Sequence, residues 1–399
     1  MENDQLKYYE IVEKEFSVSD VAYGPNETNP YIAKFIGKLK NPDSEKAYSA
    51  LEAALKPLKL LPIFRVEGEQ QIVFLVPEVA KPKKTNPRLN LILFILTLIS
   101  VLFTGGLYSM DSALPQDTWQ AILAILKNGW PFAVSLLAIL GTHEFGHYFA
   151  GKKNGVDVTL PYFIPFPFNT FGTMGAFINM RSIPKNKKQL FDIAVAGPLS
   201  GLVVSIIVLL IGLHLSTVEP LPLVLPAGSG LQMEGNSLLY LLLKYISFGK
   251  LLPEPVGKSG IVLLIHWFKY FFTGSPIPLG GLDVMLHPVA WAGWAGLFVT
   301  MLNLIPVGQL DGGHIFQALF GTKNSRRILP FIIAGLVLLG FFWNVWWFWA
   351  ALAFLMGRTY AEPLDQITQL DGKRKLVGIL MILVFIMTFI PVPITVIYG

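Results

Sequence analysis

The stretch that decides the fold is Trp130–Ala150, WPFAVSLLAILGTHEFGHYFA, an apolar run that carries His143, Glu144 and His147 near its end. About twenty apolar residues cross the hydrocarbon core of a bilayer as a helix. Ionisable groups inside such a helix are costly unless they have a partner or a function. On a helix, positions i and i+4 share a face, so the imidazoles of His143 and His147 can bind one metal ion. Glu144 follows the first of them and can act as general base toward water at that ion. Chance supplies His-Glu-x-x-His in about one such chain in 300, taking positions as independent. The plainer alternative is a pair of histidines that pack helices near a membrane interface.

Outward from this run the chain reads as a series of spans. Leu89–Tyr108 precedes it, and Gln189–Leu213 and His287–Ile305 follow. Ile328–Met356 is apolar but interrupted by Asn344, and a hairpin of two short helices is expected there. Leu376 to Pro391 and onward forms the last span. Residues 158–181 are apolar yet rich in Pro, Gly and Asn. Non-helical backbone at membrane depth is tolerated only against protein or a water-filled cavity, so a re-entrant, partly extended loop is expected. Ser237–Phe248 and Ile261–Phe272 are short and carry Lys, and read as interfacial helices.

Composition agrees with this class. Of 399 residues, 53% are hydrophobic and 14% charged, with mean hydropathy +0.54. A soluble domain carries about a quarter charged residues. Cysteine is absent, which excludes disulfides, thiolate catalysis and Cys-ligated zinc. Residues 1–80 hold nine Lys/Arg against thirteen Asp/Glu, whereas the remainder holds twenty-two against thirteen. The basic residues lie in loops between spans, so positive-inside topology explains them without a nucleic-acid partner.

Residues 1–80 read as a small α+β soluble domain. Leu6–Phe16 has helical spacing, Tyr31–Leu39 suggests a strand, and Asp43 and Ser44 can cap a helix through Leu55. Pro62–Val66 and Gln71–Val76 flank a Glu-Gly-Glu turn as a hairpin. A basic linker, 81–88, leads to a membrane-embedded region, 89–399. The expected fold is thus a multi-pass α-helical membrane protein of about six to eight transmembrane segments, with a re-entrant loop and an N-terminal α+β domain. Clusters at Lys152/Lys153, at Arg181 to Lys188, at Lys323 to Arg327 and at Lys373 to Lys375 place that domain and the His motif toward the cytoplasm. The acidic N-terminus lacks an apolar core and reads as neither a secretory signal nor an organelle transit peptide. A prokaryotic cell membrane is expected rather than a thylakoid.

Catalytic zinc usually takes three protein ligands plus water. Asp311, His314, Asp283 and His287 are the candidates for the third. Asp311 stands in Asn303-Leu-Ile-Pro-Val-Gly-Gln-Leu-Asp311-Gly-Gly-His314, directly after a span, where paired glycines allow tight turning beside a metal. A turn after a helix would explain Asp311-Gly-Gly alone. Beside His143, Glu144 and His147, the ligand reading is favoured, with His314 as a supporting residue or helix end.

HEFGH in a membrane helix, AGPLSG at 196–201 and NLIPVGQLDGGH at 303–314 resemble the site-2 protease family of intramembrane metalloproteases. The resemblance covers about residues 130–320. It implies Zn2+ bound by His143, His147 and Asp311, Glu144 activating water, and Asn303 holding the substrate carbonyl or its oxyanion. It also implies an endopeptidase that cleaves transmembrane segments of membrane proteins. The acidic N-terminal domain, GTMGAFI at 172–178 and VGQLDGGH at 307–314 are similar to the ethylene-dependent gravitropism-deficient and yellow-green-like subgroup. A PDZ-like insertion between the His motif and Asp311 is not evident. Family members use a re-entrant β element beside zinc, and Phe171–Ile178 is the matching segment, expected to take substrate as an added strand. A structural plug is its alternative. The small residues of AGPLSG read as helix packing.

Rival chemistries are weaker. Gly257-Lys258-Ser259-Gly260 matches a serine-protease GxSG pattern, with His266 as the partner within reach in sequence. Asp192 and Asp311 could pair as aspartates, although Asp192 reads as an interfacial residue beside Lys188. A non-hydrolytic membrane metal-binding protein or transporter is the other class. A transporter would spread polar residues along a path and repeat its architecture, whereas here they gather at one site.

Overall fold

The computed structural model describes residues 2–24, 31–78, 86–109 and 114–399. The first five residues of the basic linker, 81–85, lie outside that set. The N-terminal part consists of α1 (Glu2–Glu13), β1 (Phe16–Tyr23), β2 (Ala33–Leu39), α2 (Ser44–Leu55), β3 (Leu60–Glu67) and β4 (Gln70–Pro77). The strands form one antiparallel sheet in the order β1-β2-β4-β3. Alternate residues of a strand face one side; accordingly Ala33 and Phe35 on β2 and Leu60 and Phe64 on β3 are buried with Leu51 and Leu55 of α2. Asp43 caps α2 by accepting the Lys46 N–H at 3.2 Å. Phe16 belongs to β1 rather than to the first helix, because it pairs with Leu39 across the sheet.

The membrane part begins with α3 (Pro87–Tyr108) and α4 (Thr118–Lys153), followed by β5 (Tyr162–Pro165), β6 (Thr173–Phe177) and α5 (Lys187–His214). These three helices are long and apolar enough to cross a bilayer. α4 starts at Thr118, well before Trp130, because Asp117 caps it by accepting the Gln120 N–H at 2.9 Å. Pro131 lies inside it, and the missing N–H there is tolerated in a membrane helix with packed neighbours. Beyond α5 come β7 (Thr217–Pro220), β8 (Gly230–Glu234), α6 (Leu238–Phe248), α7 (Gly260–Thr273), β9 (Leu282–Met285) and α8 (Pro288–Asn303). The chain ends through α9 (Asp311–Phe320), α10 (Thr322–Leu339), α11 (Val345–Met356), α12 (Gly372–Thr388) and β10 (Ile394–Tyr398). β7 pairs with β9 and β8 with β10, two small antiparallel sheets.

Packing inverts the soluble pattern, as expected of an integral membrane protein. On α5, Leu199, Val203, Ile207 and Ile211 form an exposed apolar stripe at i, i+4 spacing. The opposite face buries Gly197, Gly201 and Ser205, small residues that let backbones approach. α4, α5 and α8 therefore form the tight centre of the bundle. Asp192 does not pair with Lys188: the Arg374 guanidinium grips both its oxygens at 2.7 Å, while Lys188 reaches Glu45 at 2.7 Å.

The N-terminal sheet is fastened to the membrane part by residues 362–368, which connect α11 to α12. Phe64 N–H donates to Leu364 O at 2.8 Å and Gln366 N–H to Phe64 O at 3.2 Å. On the other side, Leu364 and Asp365 N–H donate to Pro184 O and Lys185 O. Lys185 meets Glu52 at 2.6 Å. The buried Asp365 carboxylate accepts the Ile367 and Thr368 N–H at 2.7 and 3.1 Å. Burial pushes that carboxyl up, partly offset by these bonds. Asp365→Ala would leave the buried Thr368 N–H and the half-buried Ile367 N–H without this acceptor, at about 1–3 kcal/mol for the buried one. Amide exchange at 364–368 is expected to rise at least tenfold, with the metal content of the chain unchanged.

Candidate metal centre

The site is assembled from α4, the end of α8 and the start of α9. Helical spacing puts His143, Glu144 and His147 on the buried face of α4. α5 can lie against this face because Gly197 and Gly201 have no side chain. A Cβ on Gly197 would stand 2.1 Å from His147 Nε2, and one on Gly201 3.0 Å from His143 Nδ1. This gives AGPLSG its place: it is the seat of the two imidazoles.

Asn303 closes α8 and Asp311 opens α9. Gly312 lets the start of α9 pack onto the end of α8, since a Cβ there would meet Leu304 O at 2.0 Å. Asp311 is thereby carried to the histidines. Its Oδ2 lies 3.4 Å from His143 Nε2 and 3.3 Å from His147 Nε2, and the two Nε2 atoms are 3.1 Å apart. His147 Nδ1 lies 2.8 Å from Ile193 O. Donation there fixes the tautomer and leaves the Nε2 lone pair facing inward. Three potential ligand atoms thus converge, all within 4.8 Å of one another, a donor set that suits a cation held between them. Tetrahedral zinc with bonds of about 2.0–2.1 Å sets its ligand atoms about 3.3–3.4 Å apart. The residues present fit that metal.

Around the triad lie Glu144, whose Oε1 is 3.9 Å from His143 Nε2, and Asn303, whose Nδ2 is 3.3 Å from the same nitrogen. Ala176, Phe177 and Ile178, at the end of β6, line the cavity, as does His314. His314 is buried, and its Nδ1 has no hydrogen-bond partner among the described residues. Asp283 and His287 fall at the other end of α8 from Asn303, about 24 Å away along a sixteen-residue helix, which removes them as ligands. His266 faces Lys258 at 2.5 Å and not Ser259, so the GxSG match gathers no dyad. Asp192 is held by Arg374, so it forms no pair with Asp311. Ile193 is the residue that sequence reasoning missed. Its carbonyl orients His147, and a main-chain acceptor on another helix leaves no trace in side-chain pattern.

Fold and site together define a polytopic membrane protein with a buried His-His-Asp centre beside a glutamate. The chain matches peptidase family M50 over residues 131–343. It is 30% identical over 285 residues to the probable zinc metalloprotease EGY2, chloroplastic, of Arabidopsis thaliana, covering 70% of this chain and 45% of that protein. With the probable zinc metalloprotease EGY1, chloroplastic, of Arabidopsis thaliana the identity is 31%, over 76% and 52% of the two chains. The EGY1 protein of Oryza sativa subsp. japonica is 29% identical over 90% of this chain and 62% of its own. This chain belongs to peptidase family M50, the site-2 proteases, in the EGY subgroup. It spans about half the length of the curated relatives it matches.

Proposed function

We propose that this chain is a zinc-dependent endopeptidase that cuts transmembrane segments of membrane proteins. The observation that carries the reading is the convergence of His143, His147 and Asp311 with Glu144 alongside, inside a membrane bundle. Bound there, zinc would lower the pKa of a water to about 7 and polarise a carbonyl. Glu144 takes the proton of the attacking water and delivers it to the leaving amine. Asn303, whose amide points at the inward nitrogen of His143, donates to the carbonyl oxygen as negative charge develops. A metal site without hydrolytic function would have no use for Glu144. The N-terminal unit (residues 1–80), the linker (81–88) and the protease region (89–399) are assigned with the N-terminal unit and the site on the cytoplasmic side. In support, the N-terminal unit docks beside Lys185 and Lys188, at the start of α5. The bundle is read as six to eight spans, with α10 and α11 as a hairpin.

Peptide hydrolysis needs an extended backbone, whereas a transmembrane substrate arrives helical. In the β5–β6 sheet, β6 has one neighbour among the described residues, and its end borders the catalytic cavity, which supports strand addition along its other edge. Ala176→Pro removes a backbone donor or distorts the strand. It is expected to keep the metal and lose most cleavage of a transmembrane substrate, with partial rescue by helix-destabilising residues near the cut. Normal cleavage by a folded, zinc-loaded variant would leave β6 as a plug. Ile178→Pro is less clean, because the Ile178 N–H reaches Glu144.

The function is tested on the purified full chain in liposomes with a single-pass substrate. Fragments cut within the bilayer, lost on zinc removal and restored by readdition, are expected. Stoichiometric zinc without cleavage of any membrane segment would favour the non-hydrolytic reading.

A further inference from the structure

The catalytic cavity has an apolar annex. A second cavity, of about 390 Å3, shares Phe177, Ile178, Gln309 and Leu310 with the first. It runs between the 305–310 turn and the α10–α11 hairpin, against Val307, Leu336, Trp349, Ala353 and Met356. Its volume lies within the range of about 300–1,000 Å3 typical of small-ligand pockets. Gln309, at the mouth, is the polar residue of its lining.

The annex is built rather than incidental. Gly308 adopts φ +51°, and a Cβ there would stand 2.5 Å from Met356 O. Gly357 likewise approaches Val307, with a Cβ position 3.1 Å from Val307 Cγ1. The end of α11 is therefore seated on the turn that leads to Asp311, so annex and ligand are held in one register.

Its place beside the strand edge suggests its use. Successive side chains of an extended peptide point to opposite faces. A substrate laid along β6 at the metal sends one side chain next to the scissile bond toward α11. That side chain has left the lipid and entered a cavity that must admit water. An apolar group there is unfavourable unless a dry pocket receives it. We infer that the annex is a specificity subsite that takes a large apolar side chain, of leucine or phenylalanine size, adjoining the scissile bond. This rests on the protease reading and adds what that reading leaves open, the residue preference at the cut.

The test uses the full chain in liposomes and a single-pass substrate series with Leu, Phe, Ala or Asp substituted one position at a time on either side of the cut. At one flanking position, Leu or Phe is expected to exceed Ala by about 10- to 100-fold in kcat/KM, with Asp lower still. Ala353→Trp fills the annex and should bring the Leu-to-Ala ratio to about one or below, with one zinc retained. Cleavage by the unaltered chain that ignores side-chain size at both positions overturns the subsite and leaves the protease reading standing. The same holds if Ala353→Trp lowers all substrates equally at full zinc content, which marks the annex as a lipid or helix-packing void. Absence of cleavage of every substrate overturns the protease reading itself. The substrate series needs no variant, so the proposal remains testable if Ala353→Trp does not fold.

Discussion

Glu144→Gln is expected to lower peptide hydrolysis by about 10^2- to 10^4-fold, the usual contribution of a positioned general base, with about one zinc per chain retained. The amide nearly matches the carboxylate in size, so the α4–α5 contact and the three inward lone pairs of His143, His147 and Asp311 are undisturbed. What is lost is the acceptor for the water's proton. Glu144 Oε1 lies 3.9 Å from His143 Nε2, close enough to serve water at the metal yet outside the triad. The measurement pairs metal analysis with fragment yield from a single-pass substrate in liposomes. A variant that keeps zinc and cleaves at the unaltered rate would take Glu144 out of the reaction. One that loses zinc would make it a ligand. Membrane proteomes from cells carrying the active chain and this variant should then differ in accumulated single-pass fragments, which names the substrates.

The convergence of His143, His147 and Asp311 was legible because its information is local. The i, i+4 spacing of His143 and His147 and the Gly-Gly after Asp311 are read within a few residues. Bringing the two segments together then needs only the chemistry of a three-ligand metal. The long apolar helices were legible for the same reason, since length and composition decide them. What stayed hidden depends on partners distant in sequence. Asp192 lies far along the chain from Arg374, and its own neighbourhood offered Lys188 instead. β10 finds β8 across the membrane part, and neither stretch alternates strongly enough to declare a strand alone. The 362–368 strap carries no motif of its own, yet it hydrogen-bonds to β3 on one side and to residues 184–185 on the other. Its role exists only once both neighbours are in place. The beginning of α4 was missed because Lys127, Asn128 and Pro131 interrupt its apolar pattern, while Asp117 supplies a cap that overrides them.

Asp311→Ala is expected to lose both metal and activity, whereas His314→Ala keeps most of its zinc. Asp311 Oδ2 stands 3.3–3.4 Å from both inward imidazole nitrogens, the spacing of co-ligands on one ion. It also supplies the single negative charge of the triad. Without it two neutral imidazoles remain, a weak and poorly shaped site for a divalent cation. His314 lies one turn along α9, buried at the cavity wall with Nδ1 unpartnered among the described residues. Its removal is expected to act as loss of a supporting residue does, at most about 10- to 100-fold in metal affinity or activity. Zinc content after a graded chelator challenge separates the two. Asp311→Ala should be stripped at the lowest concentration, His314→Ala only above it, and the unaltered chain last. If instead His314→Ala is stripped first and Asp311→Ala holds its metal, the third ligand is His314. Asp311 would then be an outer carboxylate that orients the histidines.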